Sequence, residues 1–190
     1  MMETPILTSK RLILKFLEAD ESKLAVNYFT KNKEHLRYTM PDYSNDLLEN
    51  EYWLKESKER VLEFNNETSC KFFVYSKDSN IIIGTVNFTD FLRWVFQGCF
   101  LGYRIDKERQ GQGLMTEALV TGLDYIFDSL NFHKVLANYM PSNPTSGKVL
   151  EKLGFEKVGL ARAELFMNGD WQDHIETRKI NPNWKNTFNH

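Results

Sequence analysis

The chain has 190 residues, 42% of them hydrophobic and 26% charged, the size and make-up of one globular domain. Its 24 Lys plus Arg against 26 Asp plus Glu leave a net charge of -2, without the basic excess of a nucleic-acid binder. Two distant cysteines, Cys70 and Cys99, exclude a disulfide framework and a cysteine zinc site, and no apolar run approaches the roughly 20 residues of a membrane span. The opening Met1-Met2-Glu3-Thr4-Pro5 lacks a basic region before an apolar stretch, so the expectation is a cytoplasmic protein with no membrane partner.

Read in chain order, Lys10 to Phe16 carries a first strand centred on Leu12-Ile13-Leu14, and Asp20 caps a helix bearing Leu24 and Tyr28. Ser44-Asn45-Asp46 offers caps for a second, amphipathic helix from Asp46 to about Asn65. Phe72–Ser76 and Ile81–Thr89, rich in aromatic and β-branched residues, flank a turn-like Lys77-Asp78-Ser79-Asn80 and predict a hairpin. Gly98 to Asp106 is a further strand with Cys99, Leu101, Tyr103 and Ile105 on one face. A glycine loop, Gln110-Gly111-Gln112-Gly113, opens a helix running to about Leu130. His133–Tyr139 reads as a short strand, and Asn143–Leu153 as a helix ended by Gly154. The turn pair Asn168-Gly169 joins Leu160–Met167 to Trp171–Lys179 as a last hairpin. No repeat, linker or low-complexity stretch divides the chain, so 1–190 is expected to be a single α/β domain with helices on a mixed sheet.

Converging backbone N–H groups ahead of a helix N-terminus suit a phosphate. The loop ends Gly113-Leu114-Met115, without the lysine and hydroxyl that a Walker A site places on terminal phosphates and Mg²⁺. The third position of a dinucleotide fingerprint would fall on Thr116 rather than glycine, which disfavours a Rossmann oxidoreductase. His35, His133, His174 and His190 have no ligand spacing, and no metal is expected.

The segment Gln110-x-x-Gly113, after Leu101-Gly102-Tyr103-Arg104-Ile105 and before Met115-Thr116-Glu117-Ala118-Leu119, resembles motif A of the GNAT acetyltransferase superfamily. Leu7-Thr8-Ser9-Lys10-Arg11-Leu12-Ile13-Leu14, Asn143-Pro144-Thr145-Ser146 and Leu150-Glu151-Lys152-Leu153-Gly154-Phe155 are similar to its Rim-type branch. Gly98-Cys99-Phe100-Leu101-Gly102-Tyr103 and Gly169-Asp170-Trp171-Gln172-Asp173-His174 resemble the RimJ-like ribosomal-protein alanine N-acetyltransferases. Met115 departs from the Gly or Ala that the family pattern prefers there.

The resemblance implies a GNAT-like fold, with a central, mostly antiparallel mixed sheet flanked by helices. It also implies acetyl-CoA as co-substrate. The pyrophosphate would lie on the backbone N–H groups of Gln110, Gly111, Gln112, Gly113, Leu114 and Met115, and the pantetheine arm along the strand edge at Tyr103 and Ile105. Asn143 and Ser146 would border the cofactor. The implied reaction is direct attack by an amine within a ternary complex, the acceptor being the N-terminal α-amine of a protein, such as a ribosomal protein, that begins with Ala or Ser. An α-amine suits neutral pH better than lysine, since its pKa is about 8 against about 10.4. Alternatives are a small-molecule amine acetyltransferase acting on polyamines, amino acids or an antibiotic, and a non-catalytic acyl-CoA-binding module.

Acetyl transfer needs a base, an oxyanion donor and a proton for the leaving thiolate. The resemblance implies Glu164 as base, directly or through water, and the Tyr103 backbone N–H as oxyanion donor. Many superfamily members place a tyrosine acid where Leu150 stands; Ser146 resembles the Rim-type substitute. Tyr38 and Tyr43 lie in the region that covers the acceptor in this superfamily. Trp171, Asp173 and His174 are expected to be structural, and the assembly a monomer or a homodimer.

Overall fold

The computed structural model describes residues 3–40, 44–167 and 169–186. Eight strands make one sheet: β1 (Leu7–Thr8), β2 (Leu12–Lys15), β3 (Cys70–Ser76), β4 (Ile82–Leu92), β5 (Gly98–Ile105), β6 (Lys134–Tyr139), β7 (Glu156–Met167) and β8 (Asp170–Ile180). They are ordered β1-β2-β3-β4-β5-β6-β8-β7, and each neighbouring pair is antiparallel except β5 with β6. The helices are α1 (Ser22–Lys31), α2 (Lys33–Leu36), α3 (Asn50–Asn65), α4 (Leu114–Asp124) and α5 (Pro144–Lys152). The architecture is therefore the mixed, mostly antiparallel α/β sheet that the sequence predicts.

Strand alternation divides the apolar residues between two cores. On β3, Phe72 and Val74 join the core beneath α4, with Ala118, Leu119 and Leu123, while Phe73 and Tyr75 join the one beneath α1 and α3. The central strand is apolar on both faces because both are covered. In the second core the Trp53 ring stacks on Phe29 at 4.9 Å, and its Nε1 donates to the Leu47 carbonyl at 2.9 Å. Full burial of side chains of this size stabilises by about 1.5–3 kcal/mol each, which holds α1 and α3 to a sheet that the hydrogen-bond ladder alone would not secure.

Several boundaries depart from expectation. Glu18 and Glu21, not Asp20, make the reciprocal cap before α1, around a tight turn at Ala19–Glu21. Asp46 does not open α3: residues 45–48 form a separate turn, capped by the Ser44 hydroxyl accepting from the Asp46 N–H, and α3 starts at Asn50. The glycine-loop helix reaches the predicted length only by widening at Tyr125–Ser129 into a π turn. β7 begins at Glu156 rather than Leu160. Asn168 of the predicted turn lies outside the described residues, and its neighbour Gly169 has φ 83°.

The feature that positions the site is a failure of pairing. β5 and β6 are bonded only where Gly98–Phe100 meet Lys134–Leu136. Beyond Phe100 the two parallel strands separate, and a cleft opens through the sheet.

Candidate functional site

The Asp106 N–H donates to the Ile83 carbonyl at 2.8 Å, which sets the phase of the β4–β5 ladder. Antiparallel alternation then turns the backbone N–H and C=O groups of Tyr103 and Ile105 away from β4 and into the gap. An extended, amide-bearing chain can pair there as an added strand would. The cleft encloses about 1190 Å³ and is bordered on one face by Leu101, Tyr103 and Ser146, on the other by Gly102 and Arg104.

The glycine loop closes one end. Gly111 and Gly113 take φ of 73° and 72°, the left-handed region that a side chain resists. Gly113 is the N-cap of α4 and brings no side chain to the first-turn N–H groups, which stay open to a ligand. Gln112 turns its Nε2 back to the Glu108 carbonyl at 2.9 Å, and Gln110 Nε2 lies 3.2 Å from His35 Nε2. Leu114 and Met115 are buried in the core. The loop thus presents backbone, and the Met115 departure from the family pattern is a matter of packing.

Two anchors hold this backbone. Asp106, itself buried, accepts from Lys31 Nζ at 2.8 Å and from the Glu108 N–H at 2.9 Å, while the Lys107 N–H donates to Asn32 Oδ1 at 3.0 Å. Burial works to raise the Asp106 pKa, but the bonds from Lys31 and Glu108 outweigh it and the carboxyl ends below its usual value. On α4, Glu117 accepts from the Ser9 hydroxyl and the Arg11 N–H, both at 2.7 Å, and from Arg11 Nε at 2.6 Å.

At the other end Asn143 Oδ1 caps α5 by accepting from the Ser146 N–H at 3.2 Å. The Ser146 hydroxyl lies 2.7 Å from the Tyr103 hydroxyl, which also donates to the Ser146 carbonyl at 3.0 Å. Burial pushes the Tyr103 phenol up to about 12, with Ser146 opposing and Tyr139 adding to the rise, so the group is a donor at neutral pH. Gly147 is required by proximity: a Cβ there would stand 2.6 Å from the Tyr139 ring. The sequence reading assigned Tyr103 a backbone role and missed its hydroxyl. The available signal was that Tyr103 shares a strand face with Cys99 and Leu101, the face that α5 covers.

Glu164 is exposed on β7 and borders the same cleft. It sits where the β7–β8 register shifts between Ala161 and Leu165; Ala163 beside it has φ 50°, and its N–H donates to Asp173 Oδ1 at 2.9 Å. His174, set aside from sequence as structural, is buried and also borders the cleft, with Nδ1 3.1 Å from the Gln172 carbonyl. Trp171 packs on Phe166 at 5.7 Å, away from the cleft lining. Tyr38 is an exposed rim residue, whereas Tyr43 and His190 lie outside the described residues. Among the described residues no three His, Cys, Asp or Glu side chains gather as metal ligands, and no helix is long and apolar enough to cross a membrane.

A profile of the acetyltransferase (GNAT) domain matches residues 11–156. The ribosomal protein uS5-alanine N-acetyltransferase of Escherichia coli is 34% identical over 179 residues, covering 94% of this chain and 92% of that one. The probable N-acetyltransferase YjcK of Bacillus subtilis is 30% identical over 181 residues, covering 93% and 98%. The crystal structure of the ribosomal-protein-S5-alanine acetyltransferase of Vibrio fischeri superposes with a TM-score of 0.91 at 34% identity, covering 96% of this chain and 100% of that one. Mycobacterium smegmatis RimJ, solved in complex with CoA-disulfide, shares the fold with a TM-score of 0.83 at 20% identity, covering 93% and 86%.

Proposed function

The chain belongs to the GNAT family as an acetyl-CoA-dependent N-acetyltransferase, and on that premise we propose that its acceptor is the N-terminal α-amine of a protein, with ribosomal proteins beginning in Ala or Ser the best candidates. The observation that carries this reading is the cleft through the sheet. It has backbone edge and uncapped helix N-terminus on one side and an open approach beside Gly102 on the other, so co-substrate and amine meet from opposite faces. Relatives named for alanine N-acetylation of ribosomal protein uS5 support the choice of acceptor.

Each residue then has a role. The pyrophosphate lies on the N–H groups of Gln110 to Met115, where left-handed Gly111 and Gly113 let backbone approach it. The pantetheine amides pair with Tyr103 and Ile105, and Asn143 holds the start of α5 against the cofactor. The amine, freed of its proton by Glu164 through water, attacks the thioester carbonyl; the oxyanion forms within reach of the Tyr103 N–H. As the C–N bond forms and the C–S bond breaks, the nitrogen gives up its surplus proton to water and the Ser146 hydroxyl passes a proton to the leaving sulfur, the serine regaining one from solvent. The Tyr103 hydroxyl holds Ser146 Oγ at 2.7 Å; its single hydrogen serves either Oγ or the Ser146 carbonyl, and the serine hydrogen is free for the sulfur when it serves Oγ.

The test is acetylation of two peptides read by mass spectrometry, one with a free N-terminal alanine, the other with a blocked N-terminus and an internal lysine. The expected product is the first peptide acetylated at its α-amine and the second unmodified. Modification of the lysine peptide, or of neither, overturns the proposed acceptor.

A further inference from the structure

A second cavity, of about 310 Å³, lies under α1 and α3 and shares Thr89, Gly102 and Arg104 with the cleft. Its floor follows from register. Thr85 stands opposite Arg104 and Asn87 opposite Gly102, so these four share one patch of the β4–β5 surface. Gly102 brings no side chain, and a Cβ there would meet nothing within 4 Å; the passage between cleft and cavity runs past it. The roof is one face of α3, where Arg60 Nε donates to Glu56 Oε1 at 2.9 Å across one helical turn.

The cavity has hydrogen-bonding capacity that the described residues do not use. Arg60 and Thr85 are more than nine-tenths buried, yet Arg60 Nη1 and Thr85 Oγ1, and Asn87 Oδ1 beside them, meet no hydrogen-bonding partner among the described residues. Native interiors rarely leave a guanidinium N–H so. Among the described lining residues the cations Arg60, Lys71 and Arg104 outnumber the carboxylates, with Glu56 bonded to Arg60 and Glu63, just outside, 2.7 Å from Lys71. A buried cationic donor, a hydroxyl donor and an amide that presents its NH₂ after a half-turn together match a carboxylate.

Resting on the N-acetyltransferase reading above, we infer that this cavity binds a carboxylate carried by the acceptor within a few bonds of its reacting amine. The carboxylate comes either from an acidic side chain in the first two residues of a protein N-terminus or from the α-carboxylate of a free amino acid. The entrance beside Gly102 lies one residue from Tyr103, where the acyl group is attacked, so amine and carboxylate are held at once. Cationic surroundings also favour the neutral, nucleophilic form of the nearby amine.

The test compares wild-type kcat/KM for four acceptors: peptides opening Ala-Glu and Ala-Gln but otherwise identical, free alanine and free alaninamide. The expected result is a preference of at least about tenfold for the carboxylate member of one pair. In Arg60→Met that ratio should fall towards one. Because Arg60 also packs over Trp53 at 5.4 Å and its loss bears on folding, the near-isosteric Thr85→Val should lower the same ratio without changing the core volume. A preference confined to the peptides identifies the side-chain source. A preference confined to free alanine keeps the carboxylate site and overturns the N-terminal acceptor. Equal N-terminal acetylation of both peptides overturns the carboxylate site and keeps the N-terminal acceptor. Turnover of none of the four overturns both.

Discussion

The glycine loop and the β7–β8 ribbon both border the cleft but are built in opposite ways. The loop is fixed from behind by Asp106, Asn32 and Lys31 and from the side by Arg11 and Ser9 acting through Glu117. β7 is an edge strand, exposed along almost all of its length, bonded only to β8 and shifted in register at two places. A pyrophosphate is the same in every turnover, so rigid backbone donors suit it. An acceptor is read by side chains, and an irregular edge can vary them without disturbing the core. On the proposed reading, the contrast writes cofactor binding in backbone conformation and acceptor choice in side-chain placement.

The strongest way to break this contrast is at Gly113. Gly113→Val forces a β-branched residue to φ 72° and places its bulk over the first turn of α4. The left-handed conformation costs about 1–2 kcal/mol, and the lost phosphate contact adds to it. Calorimetry should show acetyl-CoA affinity reduced by about a hundredfold, while circular dichroism keeps the native signature. Undiminished affinity would remove the loop from the binding site.

Next in size is the hydroxyl pair. Ser146→Ala should lower kcat by about a hundredfold, the low end of general-acid effects, with little change in KM for acetyl-CoA. Tyr103→Phe keeps the ring and removes the hydroxyl that contacts Ser146 Oγ and the Ser146 carbonyl, so its effect on kcat should be smaller, about tenfold. Equal losses in the two variants would make Tyr103, not Ser146, the group that meets the sulfur.

On the ribbon the expected effect is smaller and depends on pH. Glu164→Gln should slow turnover by about tenfold near neutrality. The deficit should shrink as pH rises and the acceptor amine, with a pKa of about 8, deprotonates unaided. A rate ratio independent of pH would exclude Glu164 as base and turn attention to His174, which borders the same cleft from β8.

The difference between the regions also explains what could be read from sequence. Gly111 and Gly113 were legible because only glycine takes their backbone conformation easily, so a local requirement appears as a local residue. The β3, β4 and β5 strands were legible because their aromatic and β-branched alternation matches the two covered faces. The Tyr103–Ser146 contact joins residues 43 apart through the separation of β5 from β6, and no local pattern encodes where a parallel pair stops. The surroundings of Glu164 depend on a register shift in an edge strand, where burial does not constrain the pattern. His174 is expected to be structural, and its burial opposite Ala161 of β7 is set by strand pairing rather than by its neighbours in sequence. The polar side of the second cavity is composed across two strands and a helix, and its Arg60, Thr85 and Asn87, taken singly in sequence, look like an ordinary solvated face.

The smallest effect tests the clamp on the loop. Burial works to raise the Glu117 pKa, but the bonds from the Ser9 hydroxyl, the Arg11 N–H and the Arg11 guanidinium outweigh it, so the folded carboxyl lies below its unfolded value near 4.5. A group of lowered pKa contributes its full stability above the unfolded value and loses it as pH falls through the folded one. Glu117→Gln should therefore destabilise the protein by about 1 kcal/mol at pH 7, with the deficit fading at acid pH as the carboxyl passes through its lowered folded pKa and wild type also becomes protonated. Urea titrations at neutral and at acid pH measure this directly. The ribbon has no such clamp, and Asp173→Asn, which weakens only the bond to the Ala163 N–H, should leave global stability within about 0.5 kcal/mol of wild type at both. A larger loss from Asp173→Asn than from Glu117→Gln would reverse the comparison and make the acceptor edge the rigid half of the site.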